Sequence, residues 1–335
     1  MAEQYYIGKE NWQAVLKAWL DNYTIIAPFE EPGGLFLRTV DENSLPLIIT
    51  DRVRTVQPLK NYFLPPIENV SAKKTLMEKP WMFLGIKACD LAALHILDQA
   101  YGGVFADPAY QQRRETSIIV SADCNEPSSS CFCTLVGGNP YPERGFDLNL
   151  SRVWEGFVVE IGSLRGRELL DGFDRALKDV VKEEARAVEK IRMRAKDRII
   201  MNNRPFKFPD SLYHSIKGSW DSAVYKAHTE TCVECGACNH ACPTCHCYTL
   251  EDATLTEFVK MRGWDSCQYS GYAVTAGGGT PRPRLFERLR NRYFCKFKYL
   301  YDNYDQYGCT GCGRCIDACQ GRIDMREVIS DIVSS

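Results

Sequence analysis

The chain has 335 residues, 45% of them apolar and 25% charged, with a formal net charge of −2. That length holds about two domains, each with its own core, and the mixture is that of a globular protein rather than a disordered or membrane one. So small a net charge gives no electrostatic reason for nucleic acid or an anionic membrane as partner.

The N-terminal MAEQYYIGKE is polar and lacks the basic-then-apolar layout of a signal peptide. NWQAVLKAWLDN (11–22) has helical periodicity, with Leu16, Trp19 and Leu20 on one face. YTIIAPF and GLFLRTV read as strands either side of the turn EEPGG. WMFLGI (81–86), KACDLAALHILDQAY (87–101) and TSIIVSA (116–122) read as strand, helix and strand. Such a βαβ unit makes its two strands parallel. GFVVEIG (156–162) is a further strand, and 164–198 reads as a charged, solvated helical stretch. The apolar runs, WMFLGI and SIIV (117–120) among them, are far too short to span a membrane. A cytoplasmic protein with no membrane insertion is expected.

The sixteen cysteines sharpen this outline. Four lie in the first 230 residues (Cys89, Cys124, Cys131, Cys133) and twelve in the remaining 105. A boundary is therefore expected near 220, after MNNRPFKFPDSLYHS (201–215), giving domains 1–220 and 221–335. In a reducing compartment, thiols clustered this way are metal ligands or catalytic groups rather than a disulfide framework.

An internal repeat organises the second domain. TCVECGACNHAC (231–242) and GCTGCGRCIDAC (308–319) share four cysteines, the glycine after the second (Gly236, Gly313) and the alanine before the fourth (Ala241, Ala318). The first run continues into Pro243 and matches C-x₂-C-x₂-C-x₃-C-P, the pattern of two-cluster ferredoxins. Three thiolates at i, i+3 and i+6 converge on one cubane, while the fourth points toward the other. The crossed assignment gives cluster 1 to Cys232, Cys235, Cys238 and Cys319. Cluster 2 takes Cys309, Cys312, Cys315 and Cys242. Gln320 stands where a proline usually follows, a departure that leaves the ligands intact. Zinc also takes four cysteines, usually as two separated C-x₂-C pairs, so the doubled run favours two [4Fe–4S] clusters. Cys245, Cys247 and Cys267 read most simply as packed thiols beside a cluster, the other reading being an extra ligand or a donor to sulfur; Cys295 reads as a core residue.

No G-x-G-x-x-G, Walker loop, H-E-x-x-H or G-x-S-x-G is present. Electron-carrying centres without a two-electron site place any flavin or nicotinamide on a different chain of a complex. An enzyme acting through Cys245, Cys247 or Cys267, or a zinc-stabilised interaction module, are the rival readings.

Taken together, CVECGACNHACPTCHC, RGWDSC, AGGGTPRPRLFERLRNR and CTGCGRCIDAC resemble the dicluster iron–sulfur subunits of anaerobic sulfite reductases and of sulfhydrogenases (beta subunit, [NiFe] hydrogenase type). KACDLAALHILD, DPAYQQRRE and DCNEPSSSCFC share the resemblance, which runs from about residue 80 onward. It implies an electron-transfer subunit, not catalytic alone. One implied partner is a flavoprotein subunit that binds FAD and NAD(P). The other is a catalytic subunit, either a sirohaem sulfite reductase or a [NiFe] hydrogenase. That family often has a histidine where this chain has Cys295.

The expected fold is α+β: a mixed α/β domain, then a mostly helical ferredoxin-like domain whose insert (243–308) carries helices rather than a hairpin. The two strands of the βαβ unit end at one sheet edge. Cys89 and Cys124 follow those strands, and the short loop NEPSSS (125–130) returns Cys131 and Cys133 to the same edge. Placement leaves two readings open, four buried cysteines or a third [4Fe–4S] site; the ACD and CFC segments of the resemblance favour the third site.

Overall fold

The computed structural model describes residues 3–72, 78–103, 106–254 and 256–335. Eleven strands occur among them: β1 (Gln4–Gly8), β2 (Thr24–Glu31), β3 (Gly34–Thr39), β4 (Ile67–Asn69), β5 (Trp81–Ile86), β6 (Ile118–Ala122), β7 (Leu148–Val153), β8 (Gly156–Ile161), β9 (Leu177–Asp179), β10 (Tyr248–Asp252) and β11 (Lys260–Trp264). Eight form one mixed sheet in the order β3-β2-β5-β6-β7-β8-β1-β9. Its centre, β2-β5-β6-β7, is parallel, and the flanks are antiparallel. β5 and β6 are the parallel pair expected of the βαβ unit.

Helix periodicity and burial explain how this sheet is covered. In the helix Lys9–Trp19, Trp12, Val15, Leu16 and Trp19 are buried at i, i+3, i+4 and i+7. They pack with Ile25, Leu84, Val120 and Leu150 in one core, each such side chain contributing about 1.5–3 kcal/mol. The other face meets the helix Ala88–Gly102, whose Leu91, Leu94 and Leu97 pack with Phe63, Phe83 and Tyr110. Asp107 caps the next helix, Pro108–Thr116, by accepting from the backbone N–H groups of Ala109 and Tyr110, both at 2.9 Å.

Two expectations need correction. The insert does carry a hairpin: β10 and β11 pair antiparallel, from Tyr248 opposite Trp264 to Asp252 opposite Lys260, and β4 pairs with β11 as a third strand. Every residue of β10 is exposed, so no apolar alternation marked it in the sequence. The stretch 164–198 is not one helix either. It holds the short helix Leu164–Glu168, then β9, which pairs with the open side of β1, and then a helix Lys182–Asn203. An unpaired sheet edge is satisfied by a strand that charge patterning does not reveal.

The remaining core joins both halves of the chain. Phe132, Leu212, Ile216, Tyr225, Tyr293, Phe297 and Val328 pack together beneath the second cysteine run. Among the described residues no helix is long and apolar enough to cross a membrane.

Candidate iron–sulfur centres

The two halves of the repeat take the same local form. Gly236 (φ +70°) and Gly313 (φ +76°) sit in the left-handed region and open the short helices Ala237–His240 and Arg314–Asp317. A side chain there would be strained and would also collide. A Cβ on Gly236 would lie 2.7 Å from the Tyr269 ring, and one on Gly313 would lie 2.4 Å from the Ser130 carbonyl oxygen. The two helices pack on each other, which carries the fourth cysteine of each run to the other's loop.

Cys232, Cys235, Cys238 and Cys319 line one cavity together with Cys315, and Gln268, Leu289, Arg292 and Tyr293 close it. The Cys319 sulfur accepts the Ile323 backbone N–H at 3.2 Å. Cys242 lies within electrostatic reach of Cys309 and Cys315, and Cys312 within reach of both. Each run's fourth thiol therefore lies near thiols of the other run, and Cys242 is also in side-chain contact with Cys245. Burial pushes Cys238 up to about 11 and Cys309 up to about 12, so both thiols are neutral until a metal displaces their protons.

The four N-terminal cysteines also meet. Cys89 begins the helix that follows β5, and Cys124 follows β6, both at the carboxyl edge of the parallel strands. Cys89, Cys124, Cys131 and Cys133 line one cavity with Arg54, Lys87, Gly311 and Cys312. Lys87 is buried and donates to the Asp123 carbonyl at 2.9 Å. Arg54, also buried, donates to the Cys312 carbonyl and to Asp317. Burial pushes Cys124 up to about 12, with Lys87 opposing. The Phe132 N–H donates to the Gly311 carbonyl at 2.8 Å, and a Cβ on Gly311 would lie 2.5 Å from the Cys133 backbone. This third group therefore abuts the second cysteine run. An open cleft beside it is lined by Cys89, Cys133, Cys309, His95, Arg144 and Tyr304.

The donor chemistry fits iron–sulfur clusters better than a lone ion. Zinc needs its sulfurs about 2.3 Å away, and among the described residues no three His, Cys, Asp or Glu side chains are placed to hold a single ion. What the thiols surround is a space flanked by buried cations. Cys245, Cys247 and Cys295 are half-buried and Cys267 is buried. The cations Arg54, Lys60, Lys87, Arg292 and Lys296 were not singled out by sequence reasoning. Among 41 lysines and arginines, nothing in the sequence marks those that the fold buries.

Two comparisons bear on this geometry. A family model described as a 4Fe-4S dicluster domain matches residues 231–323, the span of both cysteine runs. Sulfhydrogenase 2 subunit beta of Pyrococcus furiosus is 31% identical over 304 residues, covering 88% of each chain.

Proposed function

This chain belongs to the family of sulfhydrogenase beta subunits, and we propose that it relays single electrons in the cytoplasm between two partners. One is a flavoprotein subunit that binds FAD and NAD(P); the other is a catalytic subunit of hydrogenase or sulfite-reductase type. Iron–sulfur electron transfer within a hydrogenase-type complex follows from that family and from the dicluster domain, which carries [4Fe–4S] clusters. The two ends of the relay, the ligand sets and the third cluster are our reading.

One observation carries it: Cys319, from the second run, closes the cavity begun by Cys232, Cys235 and Cys238 of the first. This supports the crossed ligand sets, with Cys242 completing Cys309, Cys312 and Cys315. The third group would add a cluster held by Cys89, Cys124, Cys131 and Cys133.

When bound, each cluster takes up and gives back one electron. The chain's residues do the rest. Thiolates hold the clusters, the Ile323 N–H donates to a ligand sulfur, and packed side chains such as Leu289 and Tyr293 keep water out. Hydrogen bonding and solvent access of this kind set the potentials. The relay would have two accessible ends. Cys235 is exposed on the cluster 1 side, and the open cleft at Cys89 and Cys133 lies on the other.

Anaerobic co-purification from the native organism tests the reading. A flavoprotein should accompany the chain, together with the catalytic chain of a hydrogenase or sulfite reductase. Retrieval of the chain alone, loaded with zinc, would overturn it.

A further inference from the structure

We infer that the outer face of the helix Lys182–Asn203 is a docking site for an acidic electron-carrier protein, which exchanges single electrons with the N-terminal cysteine group beneath it. The inference rests on the reading of that group as a third cluster.

The helix has two unlike sides. Inward it buries Glu184, Val188, Ala195, Ile199 and Asn203. Ile199 lines the cavity of Cys89, Cys124, Cys131 and Cys133, and Asn203 Nδ2 donates to the Cys131 carbonyl at 2.8 Å. Arg192 is paired at 2.7 Å with Asp123, the residue before Cys124. Only the helix itself, about 10–12 Å across with its side chains, therefore stands between the N-terminal thiols and its outer surface.

Outward, Lys182, Arg186, Lys190, Arg194 and Arg198 recur at every fourth position, and all five are exposed. That spacing sets them in one slowly winding row, in which each neighbouring pair of like charges repels. Acidic residues four positions away would relieve such a row. Yet none of the five forms an ion pair among the described residues, the pairs of this helix being those of Arg192 with Asp123 and Glu160. Beside the row runs a shallow groove lined by Met193 and Met201, which are 65% and 60% exposed. Methionine is a side chain favoured at surfaces that adapt to a partner.

These features select the occupant. Exposed methionines flanked by unpaired cations offer an apolar centre with a basic rim, the counterpart of a protein surface whose apolar centre has an acidic rim. In the groove, Arg186, Lys190, Arg194 and Arg198 outnumber Glu189 and Asp197. A second copy of this chain does not fit, since a symmetric contact would set two basic rows against each other. The position above the N-terminal thiols makes electron exchange the purpose of docking. The reduced carrier gives one electron to the oxidised cluster and leaves oxidised, with no bond or proton changing place.

The test mixes the full chain, purified anaerobically with its clusters, with a reduced plant-type [2Fe–2S] ferredoxin, an acidic carrier, in a stopped-flow instrument. The rate constant should fall steeply between about 0.01 and 0.15 M salt, as the screening length shortens from about 30 to about 8 Å. Arg186→Glu/Lys190→Glu/Arg194→Glu should slow the low-salt reaction about tenfold or more and abolish its fall with salt, while iron content stays unchanged. Lys9→Glu/Arg175→Glu/Lys226→Glu reverses three exposed cations elsewhere; with the same change in net charge, it should react nearly as the parent does. The neutralised Arg186→Gln/Lys190→Gln/Arg194→Gln should fall in between, and this arm decides if the reversed row misfolds. Equal slowing by both reversals, or slowing by neither, overturns the inference. So does binding to vesicles containing phosphatidylserine that is lost when the row is reversed, because the row would then serve a membrane. Iron analysis of Cys124→Ser reports separately on the third cluster, so failure of that reading is told apart from failure of docking.

Discussion

The Cys131 sulfur lies 3.7 Å from the Cys312 carbonyl oxygen, joining residues 181 apart in the chain. The N-terminal thiol group is therefore a neighbour of the Cys309–Cys315 loop rather than a distant annex. If both hold clusters, each feels the other's charge, and reducing one makes the other harder to reduce. Cys124→Ser should lower iron by about four per chain and sharpen the electron paramagnetic resonance of what remains. Iron unchanged by this substitution would leave the four N-terminal cysteines as ordinary buried thiols.

Crossing of the ligands predicts an unequal outcome for two alanine variants. Cys242→Ala should damage the cluster whose other ligands are Cys309, Cys312 and Cys315, and largely spare the one on Cys232, Cys235 and Cys238. Cys319→Ala should do the reverse. Spectra of the reduced variants would show it, and loss of only the nearer cluster in each case would mean that the runs are not crossed.

Much of this arrangement was legible because cysteine spacing and glycine placement are local signals. Three thiols at one spacing, with a glycine of positive φ directly after the second, describe the loop before any tertiary contact forms. The carboxyl-edge placement of Cys89 and Cys124 was equally readable, since it follows from strand order in a βαβ unit. The hairpin was not, because β10 buries neither face and is held by its pairing with β11. Nor were Lys60 and Lys296, whose burial depends on which element finally covers them. Cys295 reads as a core residue within a helical pattern, and the π-turn Cys295–Tyr299 that begins there is a tertiary event.

Gly313→Ala should destabilise the folded chain by roughly 1–3 kcal/mol, since it adds backbone strain to a collision with the Ser130 carbonyl. Thermal unfolding of the holo-protein should move down, and iron should be lost preferentially from the Cys309–Cys315 side. Gly137→Ala makes a useful control: its φ is also positive, at +83°, but nothing lies within 4 Å of the added carbon. Equal losses in both variants would show that strain alone, not the close approach, matters.

Loading of the iron-free chain should depend on pH in one direction. Burial holds Cys124 and Cys309 each at about 12, so both are protonated throughout the neutral range. Each ligand gained costs a displaced proton, and that cost grows as pH falls. Reconstitution at about pH 8.5 should therefore retain more iron than at about pH 6.5. Equal retention at both values would argue that these thiols are not ligands.

The isolated chain, free of flavin, should not oxidise NADH or NADPH at a useful rate. Dye reduction should begin on adding the flavoprotein partner. Robust NADH-dependent activity in the isolated chain would contradict the relay.

The pairing of β4 with β11 bears on how modular this molecule is. Three residues from the first half, Ile67–Asn69, complete a sheet that otherwise belongs to the second. Arg262 on β11 is 5% exposed and forms ion pairs with Glu68 on β4 and with Asp107. Severing the chain near residue 220 would strand that arginine and leave one side of β11 with unmatched backbone donors and acceptors. Such an edge invites association with other copies. The cysteine-rich half is thus not a freestanding ferredoxin carried on a scaffold: the two halves are stitched together, and gene fragments encoding the second half alone are expected to yield aggregates.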